Sequence, residues 1–485
     1  MVAAAAIAGL GQIGGAEALN TLQALWVQAH PVEQRLILGD ALLRCADRWL
    51  AEGQDDRALA VYRQLFDDPN SPHPVRLAAA VGFLTQQKHK ALDTVVQFLS
   101  GADPALHKLA VRHIRLLPGE TVTRQLSAQL DTFAPPVRIK VVRTLGERRD
   151  TAAAATLIQT AASEHAGVRL AALAGLAHQE GTPAIVARLL DTAASGAGSE
   201  QAAARDSLIR LHGPRTDDVL LAQMDSGTVA RRVETIQAMS HRGYTEAVTA
   251  LFEAARDPAP AVRMAAIRAL GQVAGSAEYP PLVDLLTETS DSQEREAAAR
   301  AIEAVALRID SIEHRLKPLV DRMPQASIDT TVALLPILAT IGGPAALEAV
   351  QYAARRDDAA VIQNAAIRTL ADWSDASVLN ALRSIIPSTT NTTSRTLALR
   401  GFIRLIALRD NSLAEQKVAD YRQALAWSST LDEKRLILAG LADVPHSAAL
   451  ELAGECSEDP AVQSEAALTA QKIRHALDRA IETEP

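Results

Sequence analysis

The chain has 485 residues, 48% hydrophobic but only 3% aromatic, and its 49 Lys and Arg against 57 Asp and Glu leave a net charge of −8. That length exceeds what one hydrophobic core usually supports, and the Ala- and Leu-rich composition favours thin, closely packed helices over sheets, so an array of repeats fits better than several unrelated domains. The basic residues are spread along the chain rather than blocked, which argues against a nucleic-acid footprint, and Cys45 and Cys456 are too far apart for a disulfide framework or a cysteine zinc site.

The opening stretch Met1 to Ala8 is apolar, but no Lys or Arg precedes Arg35, and Gly9, Gly11, Gly14 and Gly15 interrupt it, so it reads as a helix and not as a secretory signal. Gly9 to Gly14 spells G-x-G-x-x-G, yet it follows a predicted helix rather than a strand, and a glycine-terminated helix end accounts for it better than a dinucleotide loop. Apolar spacing predicts this helix over 2–13 as the second member of a helix pair, and further second helices near 32–50, 74–86, 104–117, 136–147, 167–178, 199–212, 227–241, 260–274, 291–307, 326–341, 359–371, 392–408, 430–442 and 460–480. First helices fall between them. Because the first pair lacks its first helix, the chain is expected to begin inside a longer array. Ala46 to Leu65 departs from the pattern and resembles a tetratricopeptide helix hairpin near 46–66, with Gly53 at its turn and Ala58 and Tyr62 packing back. Ser195 to Ser199 and Ser388 to Ser394 are expected to be flexible joints between stacked pairs. No window reaches the roughly 18 apolar residues of a membrane span.

One phrase recurs along the chain: Val75-Arg76-Leu77-Ala78-Ala79, and its counterparts starting at Val137, Val168 and Val262. Val75 to Val137 is 62 residues, Val137 to Val168 is 31, Val229 to Val262 is 33 and Val361 to Ser394 is 33, the length of two short helices and two turns. Asp-Pro steps at Asp68-Pro69, Asp103-Pro104, Asp257-Pro258 and Asp459-Pro460 supply a cap and a preset φ before second helices. Glycines follow a leucine at Gly11, Gly146 and Gly271, where close approach of a neighbouring helix is the expected reason.

The run Asp257 to Gly271, D-x-x-P-x-V-R-x-x-A-x-x-A-L-G, resembles the second-helix signature of HEAT repeats, including the short bacterial type. The resemblance covers nearly the whole chain, is strongest at 74–178 and 227–275, and weakens near 308–345 and 387–394. It implies an all-α, right-handed α-solenoid of stacked antiparallel helix pairs, an armadillo-type superhelix forming one array over 1–485. It further implies that the second helices line a concave face.

Chemistry-bearing patterns are scarce. The sequence has no His-Glu dipeptide of the kind that binds di-iron in HEAT-like hydroxylases, and Trp26, Trp49, Trp373 and Trp427 lie in no Arg/Lys cluster of the glycosylase kind. His107 with His113, and His73 with His89, lack the spacing that puts two metal ligands on one turn, and solvated histidines explain them. No cofactor and no catalytic residue is expected. Two arginine columns stand out instead. Arg76, Arg138, Arg169 and Arg263 directly follow the Val and are expected to pair with an Asp of an adjacent repeat. Arg112, Arg143, Arg268, Arg368 and Arg400 precede by two residues a shared apolar position, occupied by Ile114, Leu145, Leu270, Leu370 and Phe402. Arg268 lies roughly 150° from the apolar stripe at about 100° per residue, so it is expected to point into solvent on the concave side.

These readings predict a non-catalytic protein-interaction scaffold with an extended groove for a protein partner of acidic surface, without nucleic acid. The alternatives are an accessory HEAT module of a larger bacterial enzyme, with a sugar-active or redox domain outside this chain, and, further off, a bilin lyase-like HEAT protein.

Overall fold

The computed structural model describes residues 2–87, 91–356, 359–410 and 413–483. Among them are 29 α-helices and no strand, only an isolated bridge between Glu180 and His212. Each of the predicted second helices is present, and first helices alternate with them, so the chain is an all-α solenoid of helix pairs.

It divides into two compact units, Met1–Arg242 and Gly243–Pro485. In the first, the second helices His73–Gln87, Pro104–Ile114, Pro135–Glu147, Ala166–Leu176, Ser199–Arg210 and Val229–His241 each pack on the next. First helices form a second layer, as where Pro183–Ser195 contacts Ala154–Thr160 before it and Thr216–Leu221 after it. The second unit repeats the plan with second helices Pro260–Val273, Ser292–Ala306, Ile328–Ile341, Ala360–Ala371, Thr392–Ala407, Leu431–Leu441 and Gln463–Thr483 in sequence. Each layer is buried on the side facing the other. Val262, Ala266, Ile267 and Leu270 sit in the core, as the helical spacing requires.

The Asp-Pro steps work alike. In all four, one carboxylate oxygen accepts the N–H two residues on, from Asn70, Ala105, Ala259 and Ala461, at 2.8–3.0 Å. This closes the turn ahead of the helix. Gly271 meets the next second helix: a Cβ there would lie 2.9 Å from the Ala301 Cα. Gly14, with φ +64, ends the helix Val2–Ile13 and accounts for the G-x-G-x-x-G string.

Two repeat markers shift. Val229 is 41% exposed and Val361 60% exposed, so neither is the core valine of its repeat. The buried residue is Ile362 in one case, and in the other the slot holds Arg231, with Thr235, Ile236 and Met239 buried beyond it. The Ser/Gly loops are also not joints between pairs. Ser195 to Ser199 links first helix Pro183–Ser195 to its own second helix, and the end of the Ser388 to Ser394 loop is capped by Asn391, which accepts the Ser394 N–H at 3.0 Å. Asn391 caps the second helix there, whereas Ser199–Arg210 starts at Gly198, with φ +55 and no side-chain cap. The 46–66 stretch forms the end of helix Val32–Ala51 and helix Asp55–Asp67, with Gly53 at φ +76 and Ala58 and Tyr62 buried.

Candidate interaction face

The arginine after the Val position is structural in most repeats. Arg169 pairs with Glu200 at 2.6 Å and donates to the Ser163 and Glu164 carbonyls of the turn before its own helix. Arg263 repeats this with Glu294 at 2.7 Å and the Asp257 and Pro258 carbonyls, and Arg295 with Asp329 at 3.5 Å and the Thr289 and Ser290 carbonyls. Each guanidinium thus ties one turn to the start of the next second helix. Arg138 bonds only within its own turn, to Asp131 and the Phe133 carbonyl. Arg76 meets no carboxylate among the described residues; its guanidinium lies over Phe66, 5.8 Å from the ring centre.

A third arginine set, not anticipated from sequence, sits at the second-helix C-termini. Arg148 donates to the Ile114, Leu117 and Gly119 carbonyls, Arg242 to those of Leu208, Ile209 and Leu211, Arg308 to those of Gly271, Gln272 and Ala274, and Arg404 to those of Ala371 and Trp373. The orphan carbonyls ending one second helix are therefore capped by a cation from the next. Each arginine lies 29–37 residues, one repeat, from the carbonyls it caps, and nothing in the sequence marks that pairing.

Arg112, Arg143, Arg268, Arg368 and Arg400 differ from both sets. All five are exposed. Among the described residues, none of their guanidinium groups makes a hydrogen bond or ion pair. Superposing repeats on their buried positions adds Arg300 to this column and shows Ala174, Asp206, Gln237 and Pro336 at the same place in other repeats. The column is interrupted, with arginines in neighbouring pairs: Arg112 with Arg143, Arg268 with Arg300, Arg368 with Arg400. Arg268 and Arg300 line one open trough of about 590 Å³ between the second helices Pro260–Val273 and Ser292–Ala306. Arg368 lines a smaller one, of about 350 Å³, with Pro336, Thr340 and Asp372.

The remaining candidates are structural. Trp26 is buried, donates to Asp68 at 2.9 Å and carries Arg35 4.8 Å from its ring centre. His107 is not solvated: it is 8% exposed and 2.7 Å from the Gly101 carbonyl. Burial holds the His113 imidazole below its ordinary pKa. His73 meets Asp103 at 2.9 Å, and His89 lies outside the described residues. Burial also raises the Cys45 thiol, against a smaller opposing effect of Arg48. Among the described residues no group of three or more His, Cys, Asp or Glu is placed to hold a metal ion, and no helix is long and apolar enough to cross a membrane.

Residues 218–303 match the family model for HEAT repeats. No curated protein sequence matches the chain. Among solved structures, the karyopherin Kap121p bound to the SUMO protease Ulp1p is similar over 96% of this chain and 55% of that one, at 14% identity and a TM-score of 0.47. Kap121p bound to RanGTP is similar over 88% and 53%, at 14% identity and 0.44. Yeast importin-beta, Kap95p, is similar over 96% and 73%, at 13% identity and 0.34. The chain spans about half the length of the Kap121p chains it matches.

Proposed function

We propose that this HEAT-repeat α-solenoid is a non-catalytic scaffold, one array that offers its second-helix face to a protein partner of acidic surface. The observation that carries this reading is the contrast among arginines. At two repeat positions they are consumed by internal bonds, whereas Arg112, Arg143, Arg268, Arg368 and Arg400 are exposed and make no hydrogen bond or ion pair among the described residues. A guanidinium fork grips a carboxylate through two parallel bonds, and forks repeated along an array add many modest contacts without needing one deep pocket. They also steer an acidic partner toward the face, in spite of the chain's net negative charge.

The test is affinity capture with the full chain and with a variant carrying all five arginines reversed to Glu. The expected result is that a specific protein retained by the wild type is lost by the variant while helicity and thermal unfolding stay the same. Equal capture by both proteins overturns the reading.

A further inference from the structure

The trough between Pro260–Val273 and Ser292–Ala306 has more structure than an exposed surface. Its lining comes only from these two consecutive second helices. The floor is low because Gly271 and Ala301 bring the backbones together and Ala297 and Ala304 add no bulk. Polar groups stand on its walls: Arg268 and Gln272 from one helix, Gln293, Glu296 and Arg300 from the other. Arg300 already has a carboxylate, since it pairs with Glu296 one turn earlier on its own helix. Arg268 has none. Among the lining residues two guanidinium groups therefore face one carboxylate, with Glu303 of the same helix also in electrostatic reach of Arg300.

We propose that this trough receives an Asp or Glu side chain of an acidic protein segment, with Arg268 as its first partner and Arg300 as its second. The inference rests on the scaffold reading and names the ligand chemistry of one place on that face. The Arg268 guanidinium, unpaired among the described residues, matches one carboxylate. The Ala and Gly floor lets a polypeptide come close enough for a side chain to reach both guanidinium groups, which a bulkier residue at 304 would prevent. Glu296 is the internal competitor for the same cation, so it weakens the site while the trough is occupied.

The experiment is fluorescence anisotropy of a labelled oligoglutamate peptide with the full chain, at low and high salt. Arg268→Gln is expected to weaken binding about tenfold, the effect of losing a charge-assisted hydrogen bond. Ala304→Glu, an exposed position whose new carboxylate fills the trough, is expected to weaken it as well. Glu296→Gln, which frees Arg300, is expected to strengthen it, an outcome that misfolding cannot produce. Arg256→Gln, whose guanidinium pairs with Glu288 on first helix Tyr279–Glu288, serves as a control and is expected to leave binding unchanged. The proposal is overturned if oligoglutamate does not bind, if Arg268→Gln and Ala304→Glu bind it like the wild type, or if a phosphoserine peptide or oligothymidine is preferred. Loss of protein capture on reversing all five arginines, together with unchanged oligoglutamate binding by Arg268→Gln, overturns the trough and leaves the scaffold reading intact. Unchanged capture by the reversed variant overturns the scaffold reading instead.

Discussion

Gly146 and Gly175 touch backbone to backbone: a Cβ on Gly146 would lie 2.5 Å from the Gly175 Cα. Two glycines from consecutive second helices, Pro135–Glu147 and Ala166–Leu176, thus set the closest spacing of the stack at this point. Gly146→Ala has to push a rigid backbone aside, an overpacking cost of about 1–3 kcal/mol that exceeds the roughly 1 kcal/mol gained in helix propensity. Net destabilisation is expected in chemical denaturation. Gly454, inside helix Ser447–Cys456, has nothing within 4 Å of its would-be Cβ, so Gly454→Ala is expected to stabilise by up to about 1 kcal/mol.

Arg148 is expected to be costly to remove. Its side chain is 7% exposed and satisfies three carbonyls at the end of the preceding repeat as well as Thr123 and Asp150. Arg148→Met keeps the bulk but leaves those acceptors and Asp150 without their cation, an expected loss of about 2–4 kcal/mol. Thermal unfolding measures it, and a change under about 0.5 kcal/mol, typical of a plain surface site, would contradict the capping role.

Glu433 gives the chain an acid-sensitive helix start. Burial alone would raise its pKa, but the N–H groups of Ser429 and Thr430 and their hydroxyls outweigh that and hold the carboxyl below its ordinary value. With a lowered folded-state pKa, the stabilisation is complete above the ordinary Glu range and is lost as pH falls through the folded value. Glu433→Ala breaks the capping box with Thr430, with an expected cost of about 1 kcal/mol at neutral pH and a shallower loss of stability on acidification. Unfolding midpoints measured from pH 7 downward test the sign.

The two arginine columns should separate in stability. Replacing Arg112, Arg143, Arg368 or Arg400 with Gln is expected to change unfolding free energy by less than about 0.5 kcal/mol, because no hydrogen bond or ion pair among the described residues is lost. Arg263→Gln is expected to lower the unfolding temperature measurably, since it strands the buried Glu294 and releases the Asp257 and Pro258 carbonyls. Adding Glu294→Gln to that variant should recover part of the loss, which a double-mutant cycle reads directly.

Local sequence determined a good deal of this protein. The spacing of Val262, Ala266 and Leu270 places one helix face in the core whatever the neighbours are, and the Asp-Pro steps close their turns with atoms only two residues apart. Hence all predicted second helices are found, and the five candidate arginines are exposed. Val229 and Val361 misled because, in a helix, a one- or two-residue shift rotates a side chain by about 100–200°, and the spelling of a degenerate repeat does not reveal that shift. Only the tertiary structure decided which arginines are consumed. Arg148, Arg242, Arg308 and Arg404 look like any surface arginine in sequence, but the carbonyls they cap belong to the previous repeat, and that proximity exists only once the repeats are stacked. The same stacking pairs Arg300 with Arg268 across one trough, a relation between two helices that neither helix encodes alone.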